Sequence, residues 1–246
     1  MASMDIRFDG KRVLVTGAGK GIGRETAVLL SQLGAKVIAV SRAEADLATL
    51  RQQIDAETIA VDLADAQAAQ NAAIQAGRVD LLVNNAGISI PQSFLDTTVE
   101  AFDETLAVNV RAAFVISQVV ARGMIDRGQG GAIVNLSSQS SKLGLLDHTA
   151  YCASKGALDQ LTRVMAVELG PHQIRVNAVN PTVTLTPMAE MAWSDPVKNG
   201  AMKARIPLGR FASPLDVAHA IAYLLSEQAD MIHGVTLPVD GGFLAF

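Results

Sequence analysis

Short apolar segments rich in β-branched residues alternate with longer amphipathic segments along the whole chain. This alternation is typical of βαβ units, in which helices connect parallel strands and cover the sheet. The predicted strands are residues 12–16, 36–40, 58–61, 80–84, 132–137, 175–179 and 235–239. The predicted helices are residues 22–33, 46–54, 66–76, 99–127, 149–169 and 214–226. We therefore expect an α/β fold with a parallel sheet between two layers of helices.

The length of 246 residues suits one such domain, since open α/β sheets commonly reach this size as a single unit. Half of the residues are apolar but only 4% are aromatic, which favours a core of Ala, Val, Leu and Ile. The segment at about 181–207 is rich in proline and carries Trp193, and it has no clear helical or strand pattern. Irregular segments of this length are typically lids or binding loops, so we expect it to cover the substrate, with a plain surface excursion as the alternative.

Charge and cysteine content exclude several classes of partner. A net charge of −4 with both signs interspersed predicts no binding of nucleic acid or of an anionic membrane surface. The first residues lack an apolar targeting segment, and no stretch is expected to reach the roughly 18 apolar residues of a membrane span. The single cysteine, Cys152, permits neither an internal disulfide nor a cysteine metal cluster, and its simplest role is a small buried filler. These features predict a cytoplasmic protein without a metal site.

A glycine-rich segment follows the first predicted strand and opens the first predicted helix. Its glycines are Gly17, Gly19, Gly21 and Gly23. Glycines at this position allow a tight turn and a close approach of the backbone to a pyrophosphate, whose charge is met by N–H groups at the helix start. A glycine pattern alone is weak, but its place at the first βα turn indicates a dinucleotide site.

The end of the second predicted strand indicates which dinucleotide is bound. Sites for NAD place an acidic residue there to hold the ribose 2′-hydroxyl, whereas this chain has Ser41 and Arg42. A guanidinium pairs well with a phosphate, and Lys20 in the glycine segment adds a second cation, so NADP(H) is favoured over NAD(H). The alternative is that both cations are solvated surface charges. Asp62 follows the third strand and is placed to meet the adenine, or to cap a helix, or both.

Tyr151 and Lys155 stand four residues apart at the start of a predicted helix and therefore share one helix face. A tyrosine hydroxyl has an ordinary pKa of about 10, so it acts as an acid or base near neutrality only when its phenolate is stabilised. A neighbouring ammonium provides that stabilisation. The spacing by itself is common, and its weight depends on the residues that accompany it.

Two further polar residues complete a catalytic group. Ser138 ends the strand before Tyr151, at the edge where open α/β sheets bind ligands, and its hydroxyl is placed to hold a substrate oxygen. Asn109 lies within an apolar helical segment, where its amide could fix a water that links Lys155 to solvent. The alternative for Asn109 is a buried amide satisfied by neighbouring backbone.

Together the glycine segment, the sequence NNAG at 84–87, Asn109, Ser138, the Tyr151–Lys155 pair and a proline-led loop at Pro181 resemble the short-chain dehydrogenase/reductase family. The resemblance covers residues 8–246. It implies a single Rossmann-like, doubly wound domain with a seven-stranded parallel sheet, the catalytic residues Asn109, Ser138, Tyr151 and Lys155, and a homotetramer. The cofactor contacts that it implies are Gly17, Lys20, Gly21, Ile22, Gly23, Arg42, Asp62, Leu63, Asn85, Ala86, Gly87, Tyr151, Lys155, Pro181, Val183, Thr184 and Thr186.

Within the family the chain is most similar to members that reduce small sugars and α-dicarbonyls. That similarity implies substrate contacts by Gln139, His148 and Trp193, beside Ser138 and Tyr151. The alternatives are an exposed loop histidine at His148 and ordinary lid packing for Trp193. The chain departs from the pattern at two places. Thr182 replaces the family's usual glycine after Pro181, which bears on the contacts to the nicotinamide. Residues 142–146 differ from those of the sugar-reducing members, which bears on the favoured sugar.

The expected function is therefore NADP(H)-dependent interconversion of a carbonyl and a secondary alcohol on a small ketose, polyol or α-dicarbonyl. A second hypothesis keeps the chemistry but takes a 3-oxo substrate linked to an acyl carrier, which requires a basic docking patch near the entrance. The candidates for that patch are Lys198, Lys203, Arg205 and Arg210. A third hypothesis is a dinucleotide-sensing protein without turnover, although such proteins typically lose the tyrosine or the lysine.

Overall fold

The computed structural model describes residues 5–186, 189 and 194–245. In these ranges seven parallel strands form one sheet in the order β3-β2-β1-β4-β5-β6-β7. The strands are β1 (Arg12–Thr16), β2 (Lys36–Ser41), β3 (Ala56–Ala60), β4 (Leu81–Asn84), β5 (Gly131–Leu136), β6 (Ile174–Pro181) and β7 (Thr236–Val239). The predicted doubly wound α/β fold is confirmed.

Helices cover both faces of this sheet. They are α1 (Gly21–Gln32), α2 (Glu44–Gln53), α3 (Ala66–Gln75), α4 (Val99–Leu106), α5 (Ala112–Asp126), α6 (Thr149–Leu169), α7 (Pro196–Lys203) and α8 (Pro214–Leu225). Successive strand residues point to opposite faces. In β1, Val13 and Val15 pack with α1, α2 and α8, whereas Leu14 packs with α3, α5 and α6. The middle of β1 is therefore apolar on both faces, and its polar residues Arg12 and Thr16 stand at its ends.

The strand order reverses between β1 and β4. From β1 the chain proceeds through β2 to the edge strand β3, and it then returns to β4 on the other side of β1. In sheets of this kind a crevice opens at the carboxyl ends of the two strands at the reversal, and ligands bind there. The glycine segment follows β1 and Asn85 follows β4, so both border this crevice.

The helix predicted over 99–127 is interrupted. A π-helical turn, Ala107–Arg111, separates α4 from α5 and contains Asn109. The whole segment Val99–Asp126 is 28 residues long, and its best 18-residue window has a mean hydropathy of 1.3. The expectation that no segment has the length and apolarity of a membrane span is therefore wrong for this helix. The window is 44% buried, and α5 packs against the sheet and α3, as the core helix of a globular protein does.

The segment predicted to be irregular over 181–207 contains the helix α7. The Asp195 side chain caps this helix by accepting from the N–H of Val197, at 2.9 Å, and Pro196 occupies its first turn. A capping aspartate followed by proline is a standard helix start, so this part of the prediction is wrong for a reason that the sequence contains. Trp193 lies outside the described residues.

The buried carboxylate of Asp80 joins the amino ends of β1 and β4. It accepts hydrogen bonds from the N–H of Arg12 at 3.0 Å and from Nε of Arg78 at 3.0 Å, and Arg127 lies 3.8 Å away. Burial by itself would raise the pKa of Asp80, but these donors and cations together hold it below its ordinary value. The carboxylate is therefore charged in the folded protein at neutral pH.

We predict that Asp80→Asn lowers the free energy of unfolding by about 1–3 kcal/mol at pH 7, because these donors lose a charged acceptor. A carboxyl with a lowered folded pKa stabilises the fold above its unfolded pKa of roughly 4, and this stabilisation is lost as the pH falls through the folded pKa. Urea unfolding as a function of pH measures both effects. As a control, Asp230→Asn removes an exposed partner of Arg175 and should cost less than about 1 kcal/mol. Equal losses in the two variants would contradict this role of Asp80.

Candidate active site

The glycine segment is held against the segment that follows β4. The side-chain amide of Asn85 donates to the carbonyl oxygens of Thr16, at 2.8 Å, and Gly17, at 3.1 Å. A Cβ at Gly23 would lie 2.3 Å from the Gly17 oxygen and 2.3 Å from Nδ2 of Asn85. Gly17 itself has a φ of 66°, which other residues rarely adopt. The tight turn thus requires glycine at 17 and 23, and Asn85 acts here by holding the turn.

The start of α1 is open to an anion. Lys20 is the N-cap residue, but its side chain makes no capping hydrogen bond, and the first turn carries no acidic residue. The first N–H groups of a helix have no partner within the helix, and they attract negative charge. Thr186 lies on the other side of this turn, because a Cβ on Gly21 would meet its Cγ2 at 2.9 Å. The predicted pyrophosphate cradle thus lies between α1 and the loop that follows β6.

Two cations lie near the end of β2, as the sequence predicts for a 2′-phosphate. Arg42 is exposed, and Lys20 is 71% exposed with its Nζ 3.3 Å from Oδ2 of Asp46. Ser41 ends β2 and lies against Gly19, since a Cβ added to Gly19 would be 2.7 Å from Oγ of Ser41. Asp46 is a neighbour that the sequence analysis missed, and it shows that Lys20 is not simply solvated.

Asp62 and Leu63 follow β3, as expected for residues predicted to meet the adenine. The Asp62 carboxylate accepts from the N–H of Ala64 at 3.0 Å and stays exposed, while Leu63 is buried. The N-cap of α3 is Asp65, whose side chain accepts from Ala68 N–H at 2.9 Å. The alternative of Asp62 as a helix cap is therefore wrong, because the N-cap of α3 stands three residues later.

Tyr151 and Lys155 lie on one face of the first turns of α6, and Nζ of Lys155 is 5.6 Å from the centre of the tyrosine ring. Burial raises the pKa of Tyr151, and a hydrogen bond with Ser138 opposes that rise. Burial also lowers the pKa of Lys155 to about 8, against the attraction of the Asp159 carboxylate. Lys155 is 3% exposed and donates to the carbonyl oxygen of Leu136 at 2.7 Å. The pair can thus transfer a proton at the tyrosine hydroxyl.

Ser138 stands two residues beyond the end of β5 and not within the strand. It caps the short 3-10 turn Gln139–Ser141, and its Oγ accepts from the N–H of Ser140 at 3.1 Å and contacts Ser140 Oγ at 3.0 Å. Ser138 is 8% exposed. Its hydroxyl is therefore fixed next to Tyr151 at the carboxyl edge of the sheet, as the sequence predicts.

The Asn109 side chain is buried, and the protein satisfies most of its hydrogen-bonding capacity. Nδ2 donates to the carbonyl oxygen of Ile88 at 2.9 Å and to Ser154 Oγ at 3.0 Å, while Oδ1 accepts from Ile88 N–H at 2.8 Å. These contacts are those of the alternative interpretation of Asn109, in which a buried amide is satisfied by neighbouring backbone and does not fix a water. Gly87 lies between Asn109 and the lysine, because a Cβ there would be 3.3 Å from Asn109 Oδ1 and 3.5 Å from Lys155 Nζ.

Two of the three predicted substrate residues border this group. Gln139 is 3% exposed, and its Oε1 has no hydrogen-bond partner among the described residues. His148 is half-buried, with its ring edge-on to Tyr151 at 6.1 Å between centres. Its Nδ1 lies 2.6 Å from the carbonyl oxygen of Leu146 and donates to it, which leaves Nε2 as an acceptor. The third residue, Trp193, lies outside the described part of the chain.

The residues after β6 lie beside the cradle. Pro181 ends β6, and Thr184 pairs with Ala212 in a short bridge that ties the loop to the start of α8. Thr182, at the family's usual glycine position, is 7% exposed, and its hydroxyl has no partner among the described residues. Gln139 and Thr182 thus each bury a polar side-chain atom that has no hydrogen-bond partner among the described residues.

The sequence analysis also missed a polar group behind Ser138. Asp159 on α6 is 2% exposed and Asn180 on β6 is fully buried. The spacing of four residues between Lys155 and Asp159 is the one signal that could have revealed this carboxylate, since residues four apart share a helix face.

Comparison with known proteins gives a consistent result. A family model described as enoyl-(acyl carrier protein) reductase matches residues 17–244. L-xylulose reductase of Bos taurus is 58% identical over 243 residues, covering 98% of this chain and 100% of that protein. An NADPH carbonyl reductase of Sus scrofa is 49% identical over 243 residues, with 98% and 100% coverage.

Among solved structures, a gluconate 5-dehydrogenase from Burkholderia cenocepacia in complex with NADP and tartrate superposes with a TM-score of 0.92. It is 31% identical, and 98% of each chain is covered. These matches span nearly the whole length and agree with the motifs, the sheet order and the Ser138–Tyr151–Lys155 geometry. The chain belongs to the short-chain dehydrogenase/reductase family.

Proposed function

We propose that this chain is an NADP(H)-dependent oxidoreductase that interconverts a carbonyl and a secondary alcohol on a small polar ketose, polyol or α-dicarbonyl. The observation that carries the proposal is the group of Ser138, Tyr151 and Lys155 at the edge of the crevice, beside a cradle suited to a dinucleotide. The relative from Bos taurus is named for L-xylulose and that from Sus scrofa for carbonyls and NADPH, which supports the substrate class and the cofactor.

The cradle fits a dinucleotide phosphate. The open start of α1 would hold the pyrophosphate, and Lys20 and Arg42 would hold the 2′-phosphate. The remaining cofactor residues of the proposal are Gly17, Gly21, Ile22, Gly23, Ser41, Asp62, Leu63, Asn85, Ala86, Gly87, Tyr151, Lys155, Pro181, Val183, Thr184 and Thr186. The nicotinamide of the bound cofactor supplies or accepts the hydride.

The protein's own residues would bind the substrate oxygen and transfer the proton that it gains or loses. Ser138 would hold the substrate oxygen, and the Tyr151 hydroxyl would donate its proton to that oxygen in reduction or accept it in oxidation. The Lys155 ammonium, 5.6 Å from the ring centre, would favour the phenolate form by Coulombic attraction and so oppose the rise that burial causes in the pKa of Tyr151. Asn109 holds the segment after β4 through Ile88 and keeps Gly87 close to Lys155.

The contacts of the basic residues favour a small substrate over one linked to an acyl carrier. Nζ of Lys203 lies over the ring of Phe211, and the guanidinium of Arg205 lies over Phe243 at 4.5 Å. Arg210 pairs with Asp216 at 2.7 Å. Cations with such partners are less suited to form an open docking patch for an acidic carrier.

A cytoplasmic homotetramer is part of the same proposal. The outer faces of α5 and α6 carry exposed apolar side chains, among them Phe114, Val164 and Val167. Apolar residues on neighbouring outer helices support association with further copies of the chain. The single cysteine, Cys152, is unpaired in the structure, which agrees with a reducing compartment.

The catalytic assignment predicts that Tyr151→Phe reduces kcat by at least about 10²–10⁴-fold, because it removes the proton donor but keeps the ring. NADPH binding, followed by the cofactor's fluorescence, should remain nearly unchanged. The matched control is Tyr223→Phe on α8, the only other tyrosine in the chain, which should leave kcat unaltered. A loss of only a few-fold in Tyr151→Phe would contradict the assignment.

The cofactor assignment predicts that Arg42→Asp shifts the ratio of kcat/KM for NADPH over NADH by on the order of 10–100-fold towards NADH. The change replaces a charge-assisted hydrogen bond to the 2′-phosphate with repulsion. Arg7→Asp is the control, since Arg7 pairs with Asp9 far from the crevice, and it should leave the ratio unchanged. An unmodified enzyme that prefers NADH would overturn the cofactor assignment.

The substrate assignment predicts that His148→Ala raises KM for L-xylulose by at least about tenfold, or roughly 1.4 kcal/mol, and raises KM for diacetyl much less. The reason is that Nε2 of His148 is free to accept from a sugar hydroxyl, which diacetyl lacks. His172→Ala, in the 3-10 turn after α6, serves as the control. Equal effects on both substrates would mean that His148 only shapes its loop.

A further inference from the structure

A buried carboxylate lies behind the catalytic group, at Asp159 on α6. It is 2% exposed and stands one helical turn after Lys155, which is itself 3% exposed. Removing a carboxylate from water is costly unless cations and hydrogen-bond donors compensate for it. The partners of this carboxylate therefore indicate what it does.

Two side chains hold the Asp159 carboxylate from outside α6. Nζ of Lys142 lies 3.2 Å from Oδ2, and Nδ2 of Asn180 lies 3.2 Å from Oδ1 and 3.1 Å from Oδ2. Lys142 also donates to Thr236 Oγ1 at 3.0 Å, which fixes the ammonium against β7. We call Asp159, Lys142 and Asn180 the Asp159 cluster.

The same cluster contacts the main chain of the catalytic serine. Nδ2 of Asn180 lies 3.0 Å from the carbonyl oxygen of Ser138 and 2.8 Å from Ser141 Oγ. Lys142 immediately follows the 3-10 turn Gln139–Ser141 that Ser138 caps. The carboxylate is thus linked through Asn180 to Ser138, and along the helix to Lys155.

Lys155 depends on a nearby negative charge. Its ammonium is buried and donates to the Leu136 carbonyl oxygen, which is neutral. Burial disfavours the ammonium and sets its pKa at about 8, and the attraction of Asp159 opposes this effect. Without Asp159, the pKa of Lys155 would lie lower still.

We propose that Asp159 is a positioning residue of the reaction, which keeps the buried Lys155 in its ammonium form and anchors Ser138 through Asn180. This role rests on the proposed function, since it acts through Lys155 and Ser138. Lys142 in turn stabilises the carboxylate from the end of the 3-10 turn that Ser138 caps.

The groups that surround Tyr151, Lys155 and the Asp159 cluster define what else can affect the charge of Lys155. Helix α6 contributes Tyr151, Cys152 and Asp159, and the turn after β5 contributes Lys142. The π-turn contributes Asn109, β6 contributes Asn180 and β7 contributes Thr236, none of which titrates. Among these described residues, Asp159 is the one carboxylate, so Asp159→Asn removes the negative charge of the group and leaves the Lys142 ammonium without its partner.

The first measurement needs no enzyme activity. Lysine labelled with ¹⁵N is observed by NMR in the full chain, and the Lys155 signal is assigned by its loss in Lys155→Met. We expect the pKa of Lys155, about 8 in the unmodified chain, to fall by about one unit in Asp159→Asn, since one opposite charge is removed. An unchanged pKa would overturn the proposal.

The second measurement is the pH profile of kcat for carbonyl reduction with NADPH. In Asp159→Asn the midpoint of the alkaline limb should move to lower pH by the same amount, because Lys155 loses its proton earlier. Asp159→Glu restores the charge and should return the midpoint towards its original value. A role in folding alone would lower kcat equally at every pH, and that result would also overturn the proposal.

Asp80→Asn is the matched control, because it neutralises an equally buried carboxylate at the opposite end of the sheet. It should destabilise the protein and leave both the Lys155 pKa and the alkaline limb in place. If Asp159→Asn fails to fold, the titration compares Lys142→Met with Lys142→Met/Asp159→Asn, two proteins that differ only in the charge of Asp159, and the pKa of Lys155 should be lower in the double variant.

The two proposals fail in different ways. A shifted Lys155 pKa in a protein that reduces no ketose or dicarbonyl would contradict the proposed function and retain the coupling of Asp159 to Lys155. If the unmodified protein reduces a ketose or dicarbonyl, and Asp159→Asn changes neither the pKa of Lys155 nor the alkaline limb of the kcat profile, the proposed function is retained and the role of Asp159 is contradicted.

Discussion

Covering a parallel sheet with helices on both faces makes the ends of the strands the main place where polar side chains gather, and the polar residues inside strands, such as Asn135 and Asn177, are hydrogen-bonded to protein groups. The central residues Leu14, Leu82 and Ile133 are almost completely buried, and no polar group could replace them without losing hydrogen bonds. At the carboxyl edge, by contrast, successive strands deliver Gly17, Asn85 and Ser138 to one crevice. The chemistry of the protein is therefore a consequence of how its apolar residues pack.

This constraint also explains which parts of the structure the sequence could predict. The strands are short apolar runs, so all seven are predicted to within about two residues of their observed ends. Helix α6 begins and ends where its pattern predicts, at Thr149 and Leu169. The contacts of Ser138, Tyr151 and Lys155 were predictable because each stands at a fixed place relative to a strand end or a helix start.

Other features could not be read from local patterns. The π-turn at Ala107–Arg111 has the same composition as an α-helix, and only its hydrogen bonds distinguish it. The partners of Asp159 are distant in sequence, at Lys142 and Asn180, and they meet only once β6 and α6 have packed. The start of α7 is a different case, since Asp195 and Pro196 form a recognisable cap that the irregular composition around it obscured.

The π-turn has a consequence for how the length of this chain can vary between relatives. A turn with i→i+5 hydrogen bonds accommodates one residue more than an α-helical turn, which corresponds to about 100° of rotation for everything that follows. Deleting one residue from 107–111 would restore a regular helix but would turn either Asn109 away from Ile88 or the apolar face of α5 away from the sheet. Surface loops tolerate insertions and deletions. In the π-turn, by contrast, the number of residues is fixed, because Asn109 must reach Ile88 while the apolar face of α5 must meet the sheet.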